Sequence, residues 1–452
     1  MDINRRRLIA VSALSGAVPA ATLATPAVAA PLSSFGVDAT QLGVRAGGGA
    51  DQSNMLQAAI DKTAGARVPL MLGPGVYRVG GLKLPAGTQL VGVRGATRLV
   101  FTGGASLISA RAADHVTLAS LVLEGAGRVM EGDALLDFVQ CNNLRIVDCE
   151  LTGSAKSGIR LEGVQGVMSG TTIAKTADVA IYSLDARGLT IQNNNVHGAG
   201  NGGILVHRSA KGDDGTLVID NRIEDIDNVA GGSGQYGNAI NVFRAAHVIV
   251  RGNRISRAAY SAVRGNAASN IQITGNSVSD VGEVAIYSEF GFEGAVIANN
   301  TVDGAAIGVS VCNFNEGGRL AVVQGNLIRN LKPKRPIGTA PDDAAGFGII
   351  VEADASVSGN VIESAPGAGI QVGWGAFMRD VSVVGNVVRT ARFGITVSVV
   401  NGAGTAVISG NLISGAARGA IVGMDHAKAV TGDLSQEPAR YANLQISGNR
   451  VR

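Results

Sequence analysis

The chain is poor in rings and in charge. Aromatic residues are only 4% of its 452 residues, with a single tryptophan, and charged residues are 16%. Net charge is also small, formally +3 at neutral pH. Three of the positive residues, Arg5, Arg6 and Arg7, stand at the extreme N-terminus with Asp2, so without residues 1–29 the balance is +3 − 3 + 1 = +1. No basic field remains to attract nucleic acid. Three cysteines (Cys141, Cys149, Cys312) do not make an even disulfide framework. A Cys141–Cys149 bridge stays open if the compartment is oxidising. Beyond the first 29 residues no apolar run reaches the ~18 residues that suggest a membrane span. Glycine, by contrast, is abundant: 64 residues, about twice the usual ~7% share.

Residues 1–29 read as an export signal. "NRRRLIAVSALSGAVPAATLATPAVAAP" couples a basic patch to a mildly apolar stretch and a small-residue end. Ala27-Val28-Ala29 fits an A-x-A cleavage site. The arginines directly before Leu8 and Ile9 resemble a twin-arginine signal. The expectation is a folded protein exported to the periplasm or beyond.

One phrase organises the rest of the chain. "VSVVGNVV" around Asn386 recurs as "VIVRGNRI" at Asn253, "IQITGNSV" at Asn276 and "AVIANNTV" at Asn300, then at Asn326, Asn360, Asn411 and Asn449. Looser copies lie at Asn194 and Asn221, and Thr171, Cys149 and Leu121 hold the same place earlier. A second phrase, Gly/Ala-Ile/Val-x-Val, follows nine or ten residues after most asparagines, as in "AIYS" at 285 and "GITV" at 394. Both phrases alternate with period two, so each predicts a short strand with one buried face. A coil of this length cannot bury its own apolar face and must stack on copies of itself. The L-x-x-L-x-L signature of leucine-rich repeats is absent. The fold class expected is all-β: a single-domain right-handed parallel β-helix.

The recurring asparagine has a structural explanation. It tolerates the left-handed backbone of a sharp corner. Pointing inward, stacked amides would bond to the coil above and below, whereas a lone buried amide costs ~1–3 kcal/mol. Asn221, beside a long insertion, is expected to matter less than Asn276 or Asn386. In "GADQSNMLQAAIDKTAG" Leu56, Ala59 and Ile60 share one helical face, with Ser53 as N-cap. This helix would cover the open end of the solenoid. The organisation expected is a signal over 1–29, an N-terminal cap and lead-in coils over 30–115, and repeats over 116–452.

The stretch "GADQSNMLQAAID…VPLMLGPGVYRVGGLKLPAGTQLVGV", followed by tandem Gly-Asn coils, resembles β-helix proteins of the pectate-lyase superfamily. Together with the arginine leader, the chain resembles a bacterial family of twin-arginine-exported repeat proteins. The resemblance implies the fold along nearly all of the mature chain. Catalytic motifs of such enzymes do not carry over. "GMDHAK" offers Asp425 and His426 without the rest of the D-P-H-D stretch of alginate epimerases, and "VHGAG" at His197 only brushes the G-H-G of polygalacturonases.

Alternation also places candidate site residues. In the second strand the x positions point outward. Stacking them gives a column Arg160, Tyr182, Leu205, Asn241, Arg264, Tyr287, Ser310, Ile350, Gln371, Thr396. A parallel column reads Glu162, Leu184, His207, Phe243, Asn266, Glu289, Cys312, Glu352. Two long insertions, within 222–239 and 330–347, leave the same edge and would wall a groove between them. Removing the proton next to a uronate carboxylate needs a base and a cation. Tyr287, its pKa lowered by Arg264, would serve as that pair, with Asn241, Arg244, Asn266, Glu289, Ser310, Glu352 and His207 binding substrate. The expectation is an exported protein that binds an acidic, uronate-containing polysaccharide and, in its catalytic form, cleaves or epimerises it. A non-catalytic envelope scaffold or carbohydrate-binding module is the alternative. A glycoside hydrolase using Glu289 and Glu352, ~10 Å apart on alternate rungs, is a further one. The acidic turns at Asp213-Asp214, 224–227 and Asp342-Asp343 read as solvated turns rather than Ca²⁺ sites. No spacing suggests zinc, and no residue pattern names a cofactor.

Overall fold

Strands that alternate and cannot pair within their own coil pair with the coils on either side. The computed structural model describes residues 36–232, 234–312, 317–340 and 343–452. The expected export signal lies outside these described residues. One sheet of 16 strands takes one strand per coil, such as Ile271–Thr274 and Glu293–Ala298. A second, 28-stranded sheet takes two, such as Ser277–Ser279 and Val284–Glu289. Among the described residues every pairing is parallel except a hairpin of Ile421–Asp425 with Lys428–Asp433. The result is an all-β parallel β-helix with one short helix near its start. Inward residues stack in rows, as in Ile255, Val278, Val302 and Ile328, all buried. No helix among the described residues is long and apolar enough to cross a membrane.

The asparagines form a continuous ladder from Asn194 to Asn449. In each rung the backbone N–H and Nδ2 donate to Oδ1 of the next asparagine, and Nδ2 also donates to a carbonyl of the preceding coil. For Asn276 these bonds run to Asn300 Oδ1 (2.9 and 3.0 Å) and Val250 O (3.1 Å). Thr171 continues the row, its N–H donating to Asn194 Oδ1. Each buried amide is thus paired, which is what its burial requires.

Three expectations are corrected here. The left-handed corner residue is not the ladder asparagine but the residue before it: Gly275 (φ 65°), Asn299 (φ 58°), Asp220 (φ 56°). Glycine adopts this conformation without steric cost, and Asn and Asp tolerate it. Asn221 is no looser than its neighbours. It is buried and makes the same bonds to Asn253 Oδ1 and Ile191 O, because the insertion begins only after the strand Arg222–Ile226. Ser53 is not the helix cap. The helix spans Ser53–Gly65 with Gln52 at the N-cap position. Asp51 accepts the Ser53 N–H, and Ser53 Oγ accepts from Gly80 N (2.8 Å), tying the helix to the first coils. Leu56, Ala59 and Ile60 are buried as the periodicity requires. The described cysteines are all free, so Cys141 and Cys149 do not bridge. Cys149 sits buried in the ladder column, where Thr171 Oγ1 accepts its N–H.

Candidate functional site

The outward columns stack in the register that alternation implies. Asn241, Arg264, Tyr287 and Ser310 are successive neighbours, and so are His207, Phe243, Asn266, Glu289 and Cys312. The face is not an open groove, however. The loop residues 330–340 fold down onto it: Arg335 Nη1 donates to Glu283 Oε1 (2.9 Å), and Tyr260 Oη donates to Ile337 O. Ala344 and Phe347, together with Tyr287, pack on Val284, Ile307 and Ile350. Apolar surface on both sides makes that closure favourable.

What stays hollow is a cavity of about 400 Å³ beside the other loop, lined by His207, Gly234, Gln235, Asn241, Phe243, Arg264, Asn266 and Phe290. Gly234 (φ 121°) lets the loop close over Arg264 in a backbone conformation that residues with a side chain rarely adopt. Four residues expected at the site, His207, Asn241, Arg264 and Asn266, meet in this cavity. Arg244 stands next to it, exposed, its guanidinium 4.7 Å from the Phe243 ring centre and donating to Ser209 O. The loop residues Gly234 and Gln235 have no sequence signal, because loops lack a period. Phe243 and Phe290 belong to or flank the outward columns but carry no polar chemistry to single them out.

Three polar atoms of the cavity residues have no hydrogen-bond partner among the described residues: His207 Nε2, Asn241 Oδ1 and Arg264 Nη1. Asn241 is 4% exposed and Arg264 9%. The other nitrogens of Arg264 are committed. Nε and Nη2 donate to the two oxygens of Glu289 (2.6 and 3.0 Å), and Asn266 Nδ2 donates to the same carboxylate (3.0 Å). Glu283 Oε2 stands 3.7 Å from Nη1. Burial alone pushes the His207 imidazole down to about 4, so it is neutral at ordinary pH and free to donate or accept.

Tyr287 does not fit the role of base. Arg264 lies 5.0 Å from its ring centre. Burial nonetheless dominates, and with Cys312 and Glu289 beside it the phenol is held well above its ordinary range. The lowering that Arg264 exerts is outweighed by that burial. Tyr287, Ser310 and Glu352 do not line the cavity; Ser310 and Glu352 are buried. Among the described residues no cluster of three or more His, Cys, Asp or Glu side chains could hold a metal. The acidic turn around Glu224 and Asp225 is paired with Arg257.

Comparison with curated proteins finds no match. Among solved structures, a PL6 alginate lyase in complex with a trisaccharide superposes with a TM-score of 0.55 at 12% identity, over 92% of this chain and 95% of that one. The pre-mature gene product 12 of bacteriophage phi29 gives 0.52 at 15% identity. That match takes in 93% of this chain but only 57% of the phage chain. Both likenesses concern the fold. The family pattern described as "Right handed beta helix region" matches residues 131–223 and 209–388, more than half the chain. With its stacked parallel coils and asparagine ladder, the chain belongs to the right-handed β-helix family.

Proposed function

We propose that this is an exported carbohydrate-binding β-helix protein that holds a unit of an acidic polysaccharide in the cavity between His207, Asn241 and Arg264. The observation that carries the reading is that three residues lining one hollow with aromatic walls each hold a polar atom, an acceptor, a donor and an imidazole nitrogen, without a hydrogen-bond partner among the described residues. A sugar supplies hydroxyls to all three and an apolar ring face to Phe243 and Phe290. No carboxylate is among the described residues that line the cavity, while Arg264 and the neighbouring Arg244 offer N–H groups to an anionic substituent. Binding without turnover is favoured. The phenol of Tyr287 is too weak an acid to work as its conjugate base. Glu289 is pinned by Arg264 and so is a poor partner for Glu352 in glycoside hydrolysis.

The test is calorimetric titration with alginate- and pectin-derived oligouronates. Asn241→Ala, which removes the free acceptor, should weaken binding about tenfold, the worth of one or two hydrogen bonds. An absorbance assay for unsaturated product should stay flat. Undiminished binding by Asn241→Ala would move the site elsewhere, and steady product formation would restore the lyase reading. Export through the twin-arginine route is part of the proposal. Replacing Arg5 and Arg6 with Lys should accumulate precursor, and normal processing of that variant would refute it.

A further inference from the structure

A second hollow of about 500 Å³ lies at the corner where the His207 strand ends, lined in part by Asp185, Arg208, Asp213, Asp214 and His247. The strand Gly202–Asp213 makes it. Its register with the next coil shifts between His207 and Gly212. The surplus residues bulge, and Lys211 Nζ donates across the coils to Gly291 O.

Within the hollow, charge and hydrogen bonding are incompletely matched. Asp214 is 4% exposed. Its Oδ1 accepts both the N–H and the hydroxyl of Thr216, but its Oδ2 has no partner among the described residues. Arg208 lies between two carboxylates without closing on either: Nη1 is 4.0 Å from Asp214 Oδ2 and Nη2 is 4.0 Å from Asp185 Oδ1. Its one side-chain hydrogen bond among the described residues is a long one to Ala186 O (3.4 Å), and its Nε has none. The remaining acids are engaged, Asp213 with His247 (2.9 Å) and Asp185 with Ser209 N (3.0 Å). Burial holds the Asp214 carboxyl above its usual range, as expected of an oxygen left without a donor.

The chemistry of the gap selects its occupant. A cation would meet the guanidinium, and an anion would meet the carboxylates. A hydroxyl suits both, accepting from Arg208 while donating to Asp214 Oδ2. Two such groups on adjacent carbons would occupy Arg208 Nε and Asp214 together. His207 lines the first cavity and its chain neighbour Arg208 the second, so both hollows border one strand. We propose that the corner hollow is a second sugar subsite, taking vicinal hydroxyls of a unit adjoining the one held by His207, Asn241 and Arg264. This rests on the carbohydrate-binding reading above.

The test is the dependence of affinity on chain length, measured with oligouronates of one to six units. The unvaried protein should gain about tenfold once the ligand reaches the second hollow, the worth of a charge-assisted hydrogen bond. Arg208→Gln and Asp214→Asn should erase that gain while leaving the affinity for the monomer unchanged. Both are checked for folding by thermal melting. Hydrogen exchange on the unvaried protein supplies a readout free of folding effects: the hexamer should protect 208–215, and the monomer should not. Short-ligand binding with the same length dependence in folded variants, or no protection at 208–215, overturns the second subsite and leaves the first intact. Absence of binding at every length overturns both.

Discussion

Asn276→Ala is expected to destabilise the protein by ~3 kcal/mol, and Asn221→Ala by the same amount. Removing the Asn276 amide takes a partner from three buried groups at once. The N–H and Nδ2 of Asn253 lose their acceptor, Asn276 Oδ1 (2.9 and 3.0 Å), and Val250 O loses its donor (3.1 Å). No water-exposed side is available, since Asn253 and Asn276 are both buried. Asn221 has the same set of partners: Oδ1 accepts from Asn194 N and Nδ2, and Nδ2 donates to Ile191 O. Asn449, half-buried at the end of the described ladder, should cost less. Urea denaturation followed by circular dichroism measures all three. Losses under ~1 kcal/mol at Asn276 and Asn221 would mean that the ladder does not carry buried hydrogen bonds in solution.

Arg264→Ala should cost ~3–5 kcal/mol at neutral pH, the range for breaking a buried ion pair by removing one partner. The carboxylate of Glu289 would keep only the Asn266 amide, while Glu283 retains Arg335 and Ser261. The loss should depend on pH with a definite sign. Burial already raises the Glu289 carboxyl, against the opposing pull of Arg264 and Asn266. Without Arg264 it rises further. With its folded value above its unfolded one, the folded state takes up the proton first as pH falls, so stability is regained through the folded pKa and down towards the ordinary glutamate range. The deficit against the unvaried protein should therefore shrink as pH falls through the raised folded pKa towards the ordinary glutamate range. A pH-independent deficit would place the cost in lost packing rather than in the stranded carboxylate. Arg264→Lys should rescue little, because an ammonium cannot make the two parallel bonds that Nε and Nη2 make to Glu289. Arg264 is thus structural as well as cavity-lining, and Asn241 is the cleaner probe of binding.

The repeat is legible in the sequence because it is local and periodic. Asn253, Asn276 and Asn300 announce themselves by spacing, and period two places Asn241, Arg264 and Tyr287 on one outward face. Within this frame individual bonds are not legible. That Arg264 spends two nitrogens on Glu289, one coil over and two residues along, depends on side-chain conformation, which alternation does not specify. The corner conformation is easily assigned to Asn276 when Gly275 adopts it, because the two adjacent residues share turn chemistry. Ser53 has the position of a cap, but Asp51 accepts its N–H, and its hydroxyl serves Gly80 instead.

The sequence by itself determined that this chain folds as a parallel β-helix, and which residues stack in which column. Those properties follow from hydrophobic period and turn chemistry, which are written residue by residue. The tertiary structure alone decided where the face is open. Beside Tyr287, Ala344 and Phe347 cover Val284, Ile307 and Ile350, whereas Gly234 and Gln235 roof a hollow over Asn241 and Arg264. Loops carry no period, and their resting place is set by contacts among residues distant in the chain. Those contacts turned an expected open groove into a cavity, and an expected base into a half-buried phenol held in its neutral form.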